Sequence, residues 1–414
     1  MSVDLMRKID HLVGVPLCGG LSFCHKLWRL FVKEEKKDPQ AILLIELSEM
    51  GSTILVDPAM KKLKKELNAD LFFLIFETNK ASLSLLNTIK SDHIFTIREN
   101  SFLNITTDVI KFLIWARQKK IDTVIDLELF SRLTSLLSIL CGAVNRVGFY
   151  TFHNEGLYRG EFLTHKVAYN AHIHIAKNFI ALANSLLSQN EEVPYSKIVI
   201  GDEEVRLDQL VFDQATQEPI QDKVREAFPQ YLREQNKIVL INPNASEMII
   251  QRRWMPEYYS KLIRTILDHY PEAIVLITGV SGEREEAEQL RKNVGNSRCC
   301  NFTGMLTLPE LPILYSISHT MVTNDSGPGH FSSIVNLPTF VIFGPETPSL
   351  YGSLGNSKSI YSGMACSPCV SAYNHRKTPC KDNVCLQVIT PEEVFQKVKP
   401  VLDSDDPIDL KKEL

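Results

Sequence analysis

The 414-residue sequence has no uninterrupted apolar stretch of about twenty residues, the length a membrane-spanning helix requires. It has no excess of positive charge either. The formal net charge of -4 argues against nucleic acid as the main partner, because phosphate backbones select basic surfaces. Low-complexity runs and short-period repeats are absent. No apolar core followed by a small-residue cleavage site opens the chain, so a cytoplasmic location with reduced thiols is expected. No G-x-G-x-x-G turn follows the first apolar run, which counts against a dehydrogenase.

What is present reads as an ordinary globular α/β protein, too long for one core and sized for two domains. AILLIEL (41–47), DLFFLIFE and TVIDLEL (123–129) are short apolar runs typical of buried parallel strands, with helical patterns between them. A second series follows in KIVLINP, AIVLITG, HTMVTND and TFVIFGP, each run stopping at a polar or glycine turn. This alternation predicts parallel sheets with helices on both faces, and ligands bind beyond the carboxyl ends of such strands. The expected division is an amphipathic, apolar extension (1–40), an N-terminal Rossmann-like domain (41–200) and a connection (201–236). A C-terminal Rossmann-like domain (237–390) and a terminal helix with a polar, frayed tail (391–414) complete it. In the extension, Leu27, Trp28, Leu30 and Phe31 beside several lysines fit either an interfacial membrane segment or an extra helix packed on the body.

The strongest local signal is TNDSGPGHFSSIVNLPTFVIFGP (323–345), read as strand, glycine turn, helix beginning near His330, and strand. Gly327 and Gly329 are expected to let the backbone approach a ligand, with the helix start suited to a diphosphate. Asp325 is an acceptor for sugar hydroxyls or an organiser of the turn.

This segment resembles the D-x-G-x-x-H signature of glycosyltransferase family 9, the heptosyltransferases, in Asp325, Gly327 and His330, followed by the family's P-T-x-x-x-F-G-P run, Pro338 to Pro345. INPNASEMIIQRRW (241–254) is similar to its proline-turn segment. There Arg252 takes the place of a phosphate-contacting lysine, beside Arg253, and Asn244 lies in the turn. TGVSGERE resembles the next turn, with Glu283 toward donor hydroxyls, and FTGMLTLPEL the loop lining the nucleoside pocket. In the first half LSEMGSTILVDPAM, VIDLELFSRLTS and NRVGF are similar to the family's first turn and acceptor side. The resemblance runs from about Ile42 to Val394 and is more specific in the second half. It implies a glycosyltransferase B fold, two facing Rossmann-like domains with an interdomain cleft. It also implies inverting transfer without metal or other cofactor from a nucleotide sugar, usually ADP-heptose, to a lipopolysaccharide core or other glycolipid; the apolar extension adds peripheral inner-membrane association as one reading. The implied donor site is Asn244, Arg252, Glu283, Asp325, Ser326, Gly327 and His330.

One position departs from the family. Its proposed general base is an Asp directly after the first-turn glycine, and this sequence has Ser52 there. A lone hydroxyl is a poor base, so Glu49, then Glu46, then Asp57 are the substitutes. The departure also keeps open a catalytically silent nucleotide-sugar-binding partner; another nucleotide-sugar enzyme, such as an epimerase, is a further alternative. Arg132 and Arg146 are candidates for an anionic acceptor or for salt bridges. Cys366, Cys369, Cys380 and Cys385 have spacing compatible with a structural four-thiolate zinc site, an iron–sulfur site, a disulfide or free thiols. His172 and His174 lack a carboxylate motif, and packing or hydrogen bonding is favoured over metal.

Overall fold

The computed structural model describes residues 3–32, 37–48, 50–152, 156–245, 247–371, 374 and 376–412. The chain divides into two compact units, the first running to Arg206 and the second from Leu207. Each is built on a six-stranded, wholly parallel sheet with the same topology.

In the first unit the strands are β1 (Ala41–Ile45), β2 (Asp70–Phe76), β3 (Ile94–Ile97), β4 (Thr123–Asp126), β5 (Asn145–Phe149) and β6 (His165–Val167), in the order β3-β2-β1-β4-β5-β6. All five residues of β1 are buried, as an apolar strand covered on both faces must be. Helix Phe102–Gln118 starts at Ser101, whose hydroxyl accepts from the Asn104 N–H at 3.2 Å, and Ser131 plays the same part for helix Arg132–Leu140. Helix Ser52–Leu67 ends on Asn68 in the left-handed conformation.

The second unit contains β7 (Lys237–Asn242), β8 (Ala273–Ile277), β9 (Cys299–Asn301), β10 (Thr320–Asn324), β11 (Thr339–Phe343) and β12 (Ser357–Tyr361), ordered β12-β11-β10-β7-β8-β9. The expected apolar runs are the inner strands. The outer ones, among them IFTI, HKV and CCN, are short or mixed in polarity, as edge strands with one partner can be.

Two expectations are corrected here. Helix Gln214–Ala227 occupies much of the anticipated connection and is part of the second unit. The terminal helix forms as Pro391–Asp403, and its apolar residues Val394, Phe395, Val398, Val401 and Leu402 join the second unit's core, against helix Pro256–His269. The tail beyond it is docked rather than frayed: Leu410 is buried, its N–H donates to Asn356 Oδ1 at 2.8 Å, and Asn356 Nδ2 donates to Ile408 O at 2.7 Å.

The N-terminal extension forms helices Val3–Leu12 and Gly14–Trp28. One side packs on the first unit, where Cys18 joins Leu136 and Phe162, and a Cβ on Gly14 would meet the Arg132 side chain at 2.9 Å. The other side leaves Leu12, Phe23, Leu30 and Phe31 between 65 and 86% exposed. The packing of an extra helix on the body is thus observed. No helix among the described residues is long and apolar enough to cross a membrane.

Candidate functional site

In each sheet the strand order reverses once, between β1 and β4 and between β7 and β10. The connections leaving such a pair run to opposite sides, which opens a crevice at the carboxyl ends. Topology alone therefore directs attention to the loops after β7 and β10 in the second unit, and after β1 and β4 in the first.

In the second unit these loops are joined by Asn324, the last residue of β10 and fully buried. Its Oδ1 accepts from the Trp254 N–H and the Tyr259 hydroxyl, both at 3.0 Å, and its Nδ2 donates to Pro243 O at 2.7 Å. The Pro243–Asn244 turn and the segment ending in Trp254 are thereby fixed to the end of β10. Two residues before Trp254, Arg252 Nη1 lies 3.6 Å from Asp325 Oδ2. The two arginines of this segment differ in role. Arg253 donates Nε and Nη2 to Ala245 O at 3.1 and 3.0 Å, so it braces its own loop.

The Arg252–Asp325 pair is deeply placed and incompletely satisfied. Asp325 is 3% exposed, and neither its Oδ2 nor Arg252 Nε has a hydrogen-bond partner. Burial pushes the Asp325 carboxyl above its ordinary range, against the opposing pull of Arg252. A third member, Glu346, follows β11, whose residue Ile342 pairs with Asn324. Glu346 is 1% exposed, and neither of its carboxylate oxygens accepts a hydrogen bond. Burial first, and the charge of Asp325 second, push its carboxyl up to about 8, with Arg252 opposing. Arg376 Nε stands 3.5 Å from Glu346 Oε1, and its guanidinium lies over the Tyr351 ring at 4.8 Å. Sequence reasoning missed Glu346 and Arg376. The available signal for Glu346 was its place just after F-G-P on the strand next to Asp325.

The other residues expected at a donor site divide. Asn244 and Glu283 converge on the end of β8: a Cβ on Gly279 would sit 3.4 Å from Asn244 Nδ2 and 2.5 Å from Glu283 Oε2. Asn244 Nδ2 is buried without a hydrogen-bond partner, whereas Glu283 Oε2 accepts from the Val280 N–H at 2.8 Å and so caps its own turn. Ser326 returns its hydroxyl to Asn324 O at 3.2 Å. The helix expected near His330 begins at Gly327 and is five residues long, with His330 inside it. So short a helix sums few peptide dipoles, which weakens the expected anion site there. Gly329 also has a different reason from the one anticipated. It is buried against the sheet, where a Cβ would meet Val341 Cγ2 at 3.3 Å and Thr323 Cγ2 at 3.6 Å, so it lets helix and strands pack closely.

The cysteine-bearing segment braces this site. The Cys369 and Val370 N–H groups both donate to Pro345 O, at 3.0 and 3.1 Å, and Trp254 Nε1 donates to Ile389 O at 2.9 Å. Cys385 is buried, with its thiol pushed up to about 11 by desolvation. All nine cysteines are free thiols, and among the described residues no three His, Cys, Asp or Glu side chains are grouped to hold a metal ion.

In the first unit, Glu128 organises the turn after β1: its Oε1 accepts from the Leu47 and Ser48 N–H groups and from the Ser48 hydroxyl, at 2.9 to 3.2 Å. Asp126, at the end of β4, is ion-paired with Arg159 and accepts from the Thr134 hydroxyl. Burial pushes its carboxyl up to about 6 despite Arg159. Glu46 is buried just past β1, and Ser52 is the buried first residue of its helix. Glu49 lies outside the described residues. Asp57 is fully buried, accepts from Thr88 and pairs with Lys61 at 2.7 Å, which makes it structural.

Arg132 and Arg146 are corrected from acceptor contacts to internal ties. Arg132 is buried, pairs with Asp10 at 3.0 Å and donates to Tyr158 O at 2.9 Å. Arg146 is buried near the start of β5, the end of the strand opposite the crevice, and donates to Phe162 O and Ala143 O at 2.6 and 2.7 Å. His174 accepts from the Ala176 N–H at 3.2 Å and caps helix Ile175–Leu187.

Comparison with known proteins agrees with this arrangement. The family model for glycosyltransferase family 9 (heptosyltransferase) matches residues 113–378. Lipooligosaccharide heptosyltransferase 2 of Campylobacter jejuni is 28% identical over 188 residues, 44% of this chain and 56% of that protein. Lipopolysaccharide heptosyltransferase 1 of Pseudomonas aeruginosa is 23% identical over 178 residues, 41% and 48% respectively. The chain thus spans about half the length of the curated relatives it matches. Among solved structures, the ADP-heptose lipopolysaccharide heptosyltransferase II of E. coli matches with a TM-score of 0.64 at 17% identity, over 91% of this chain and 100% of that one. A glycosyltransferase family 9 protein of Veillonella parvula matches with a TM-score of 0.67, also at 17% identity, over 90% and 100%. The sheets, the paired switch points and a family match over well more than half of the sequence place this chain in glycosyltransferase family 9, the heptosyltransferase family, with its two-unit glycosyltransferase B fold.

Proposed function

We propose that this protein transfers a heptose from ADP-heptose to a lipopolysaccharide-core or related glycolipid acceptor, with inversion and without a metal ion. The observation that carries the reading is the Arg252–Asp325 pair at the β7–β10 switch point, where a cation and a hydroxyl acceptor stand side by side beyond the carboxyl ends of the central strands. In the reaction the acceptor hydroxyl oxygen bonds to the anomeric carbon as the bond from that carbon to the diphosphate breaks. ADP leaves with the electron pair, and the acceptor proton passes to a base. Arg252 meets the charge growing on the leaving diphosphate, and Asp325 takes sugar hydroxyls. Asn244 and Glu283 flank the nucleoside end, with Ser326, Gly327 and His330 on the turn beside the sugar. The base belongs to the carboxylates of the turn after β1, Glu49 first and Glu46 second, beside Ser52.

A glycolipid acceptor suits a peripheral position at the cytoplasmic membrane face. The exposed apolar residues of the N-terminal helices, accompanied by Arg7, Lys8, Lys26 and Arg29, favour that reading. Calorimetric titration with ADP, UDP, GDP and CDP tests the donor: ADP should bind in preference. Preference for another nucleotide would replace ADP-heptose, and binding of none would remove the transferase reading.

A further inference from the structure

Buried polar atoms lacking hydrogen bonds gather around the end of the second sheet, among them Asn244 Nδ2, Arg252 Nε, Asp325 Oδ2 and both oxygens of Glu346. Three of these chains form one electrostatic group. Two carboxyls, at 3% and 1% exposure, interact with each other, and each has one guanidinium at ion-pair distance, Arg252 at 3.6 Å and Arg376 at 3.5 Å. Neither ion-pair contact is a close hydrogen bond. Two ionised carboxylates interacting in a buried site repel, and each would lose its hydration without a hydrogen bond in return. One proton on the pair removes the repulsion and one of the two desolvation costs. It also changes what the site presents: with both acids ionised, two negative charges cancel Arg252 and Arg376, while with one neutral the group carries a net positive charge.

We propose that Glu346 is a positioning residue of the donor site: as the neutral member of a buried carboxyl pair with Asp325, it leaves the group of Arg252, Asp325 and Arg376 with one net positive charge for the donor's diphosphate. Glu346 acts through the charge of that group and needs no contact with the ligand, which agrees with its burial. Its elevated pKa points the same way. The inference rests on the donor-site reading given above, and it adds a linkage: binding a nucleoside diphosphate stabilises the proton on Glu346, so binding takes up protons. The charged or titratable groups around Glu346 are Asp325 and Arg252 from the loops after β10 and β7, and Arg376 from the segment after β12. Tyr351 underlies Arg376, and Cys369 belongs to the segment bonded to Pro345.

The experiment is calorimetric titration of the full chain with ADP at pH 7.5 and 9, and at pH 8 in two buffers of different protonation enthalpy. ADP itself does not titrate there, because its terminal phosphate ionises nearer pH 6. Wild-type affinity should fall by about five- to tenfold between pH 7.5 and 9, one pKa unit of linkage being about tenfold. A fraction of a proton should be taken up per ADP bound at pH 8. In Glu346→Gln, whose amide stays neutral, affinity should be flat across the range and proton uptake absent. An unchanged pH slope in Glu346→Gln, or no proton uptake by the wild type, would overturn the proposal while leaving the donor site in place. The second of these needs no variant to fold. Failure of the wild type to bind any nucleoside diphosphate at either pH would instead overturn the donor-site reading beneath it.

Discussion

The Trp254 backbone N–H donates to Asn324 Oδ1 at 3.0 Å, and through this bond the loop after β7 is held to the end of β10. The same oxygen receives the Tyr259 hydroxyl, and the amide nitrogen reaches Pro243 O. Asn324→Ala would leave three buried polar groups without their partner, each worth about 1 to 3 kcal/mol. The expected outcome is a loss of about 3 kcal/mol in chemical denaturation, together with weaker ADP binding in the folded fraction. Stability within about 0.5 kcal/mol of wild type would show that Asn324 does not organise the two loops.

Arg252 and Asp325 should differ in what they lose. Arg252→Ala removes the cation proposed to meet the diphosphate, so ADP affinity should drop about ten- to a hundredfold, the range for charged hydrogen bonds. Asp325→Asn should reduce transfer much more than ADP binding, because the acid is assigned to sugar hydroxyls. Calorimetry with ADP beside a product-release assay with ADP-heptose separates the two. Equal, unaltered behaviour in both variants would disconnect this pair from the donor.

Asp126 makes the first unit sensitive to pH. Its folded carboxyl is pushed up to about 6, above the ordinary carboxylate value, so the folded form holds more protons between about pH 4 and 6. The contribution is therefore fully present below about pH 4 and is lost as pH rises through about 6. Asp126→Asn cannot ionise and should gain on the wild type across that window, by an upper limit of about 3 kcal/mol. Unfolding free energies at pH 4.5 and 7 check the sign; a difference that is constant or runs the other way would contradict it.

The N-terminal helices should bring the protein to lipid without crossing it. Removing them is a poor test, because Arg132 would lose Asp10 and the apolar face under Cys18, with Leu136 and Phe162, would be uncovered. Substituting the exposed Phe23, Leu30 and Phe31 with Ser leaves that pair intact. Flotation with vesicles containing anionic lipid should recover the wild type and lose most of the triple variant, with unchanged thermal unfolding. Equal recovery of both proteins would remove these residues from any membrane contact.

Much was legible before the structure, for reasons visible in particular residues. AILLI is wholly apolar and TFVIF is apolar after Thr339, so both read as buried strands, and Asp325 stands in the turn directly beyond β10, with Arg252 in the longer loop after β7. Ser131 and Thr390 mark helix starts through local hydrogen bonds that the chain makes with its own neighbours. What the sequence determined by itself was therefore local: the strand runs, the caps, the glycine turn and the likeness of its motifs to one family.

Only the tertiary structure decided which charged groups meet. Arg132 and Arg146 read as candidates for an anion until folding set Asp10 and three backbone carbonyls against them. Glu346 and Arg376, thirty residues apart, drew no notice in the sequence, and only the β10–β11 pairing and the segment after β12 bring them to Asp325 and Arg252. The physical reason is range. Strand burial and helix capping depend on neighbours a few residues away, whereas the energy of a buried charge depends on every group and the dielectric around it, and those are fixed only when the sheet closes.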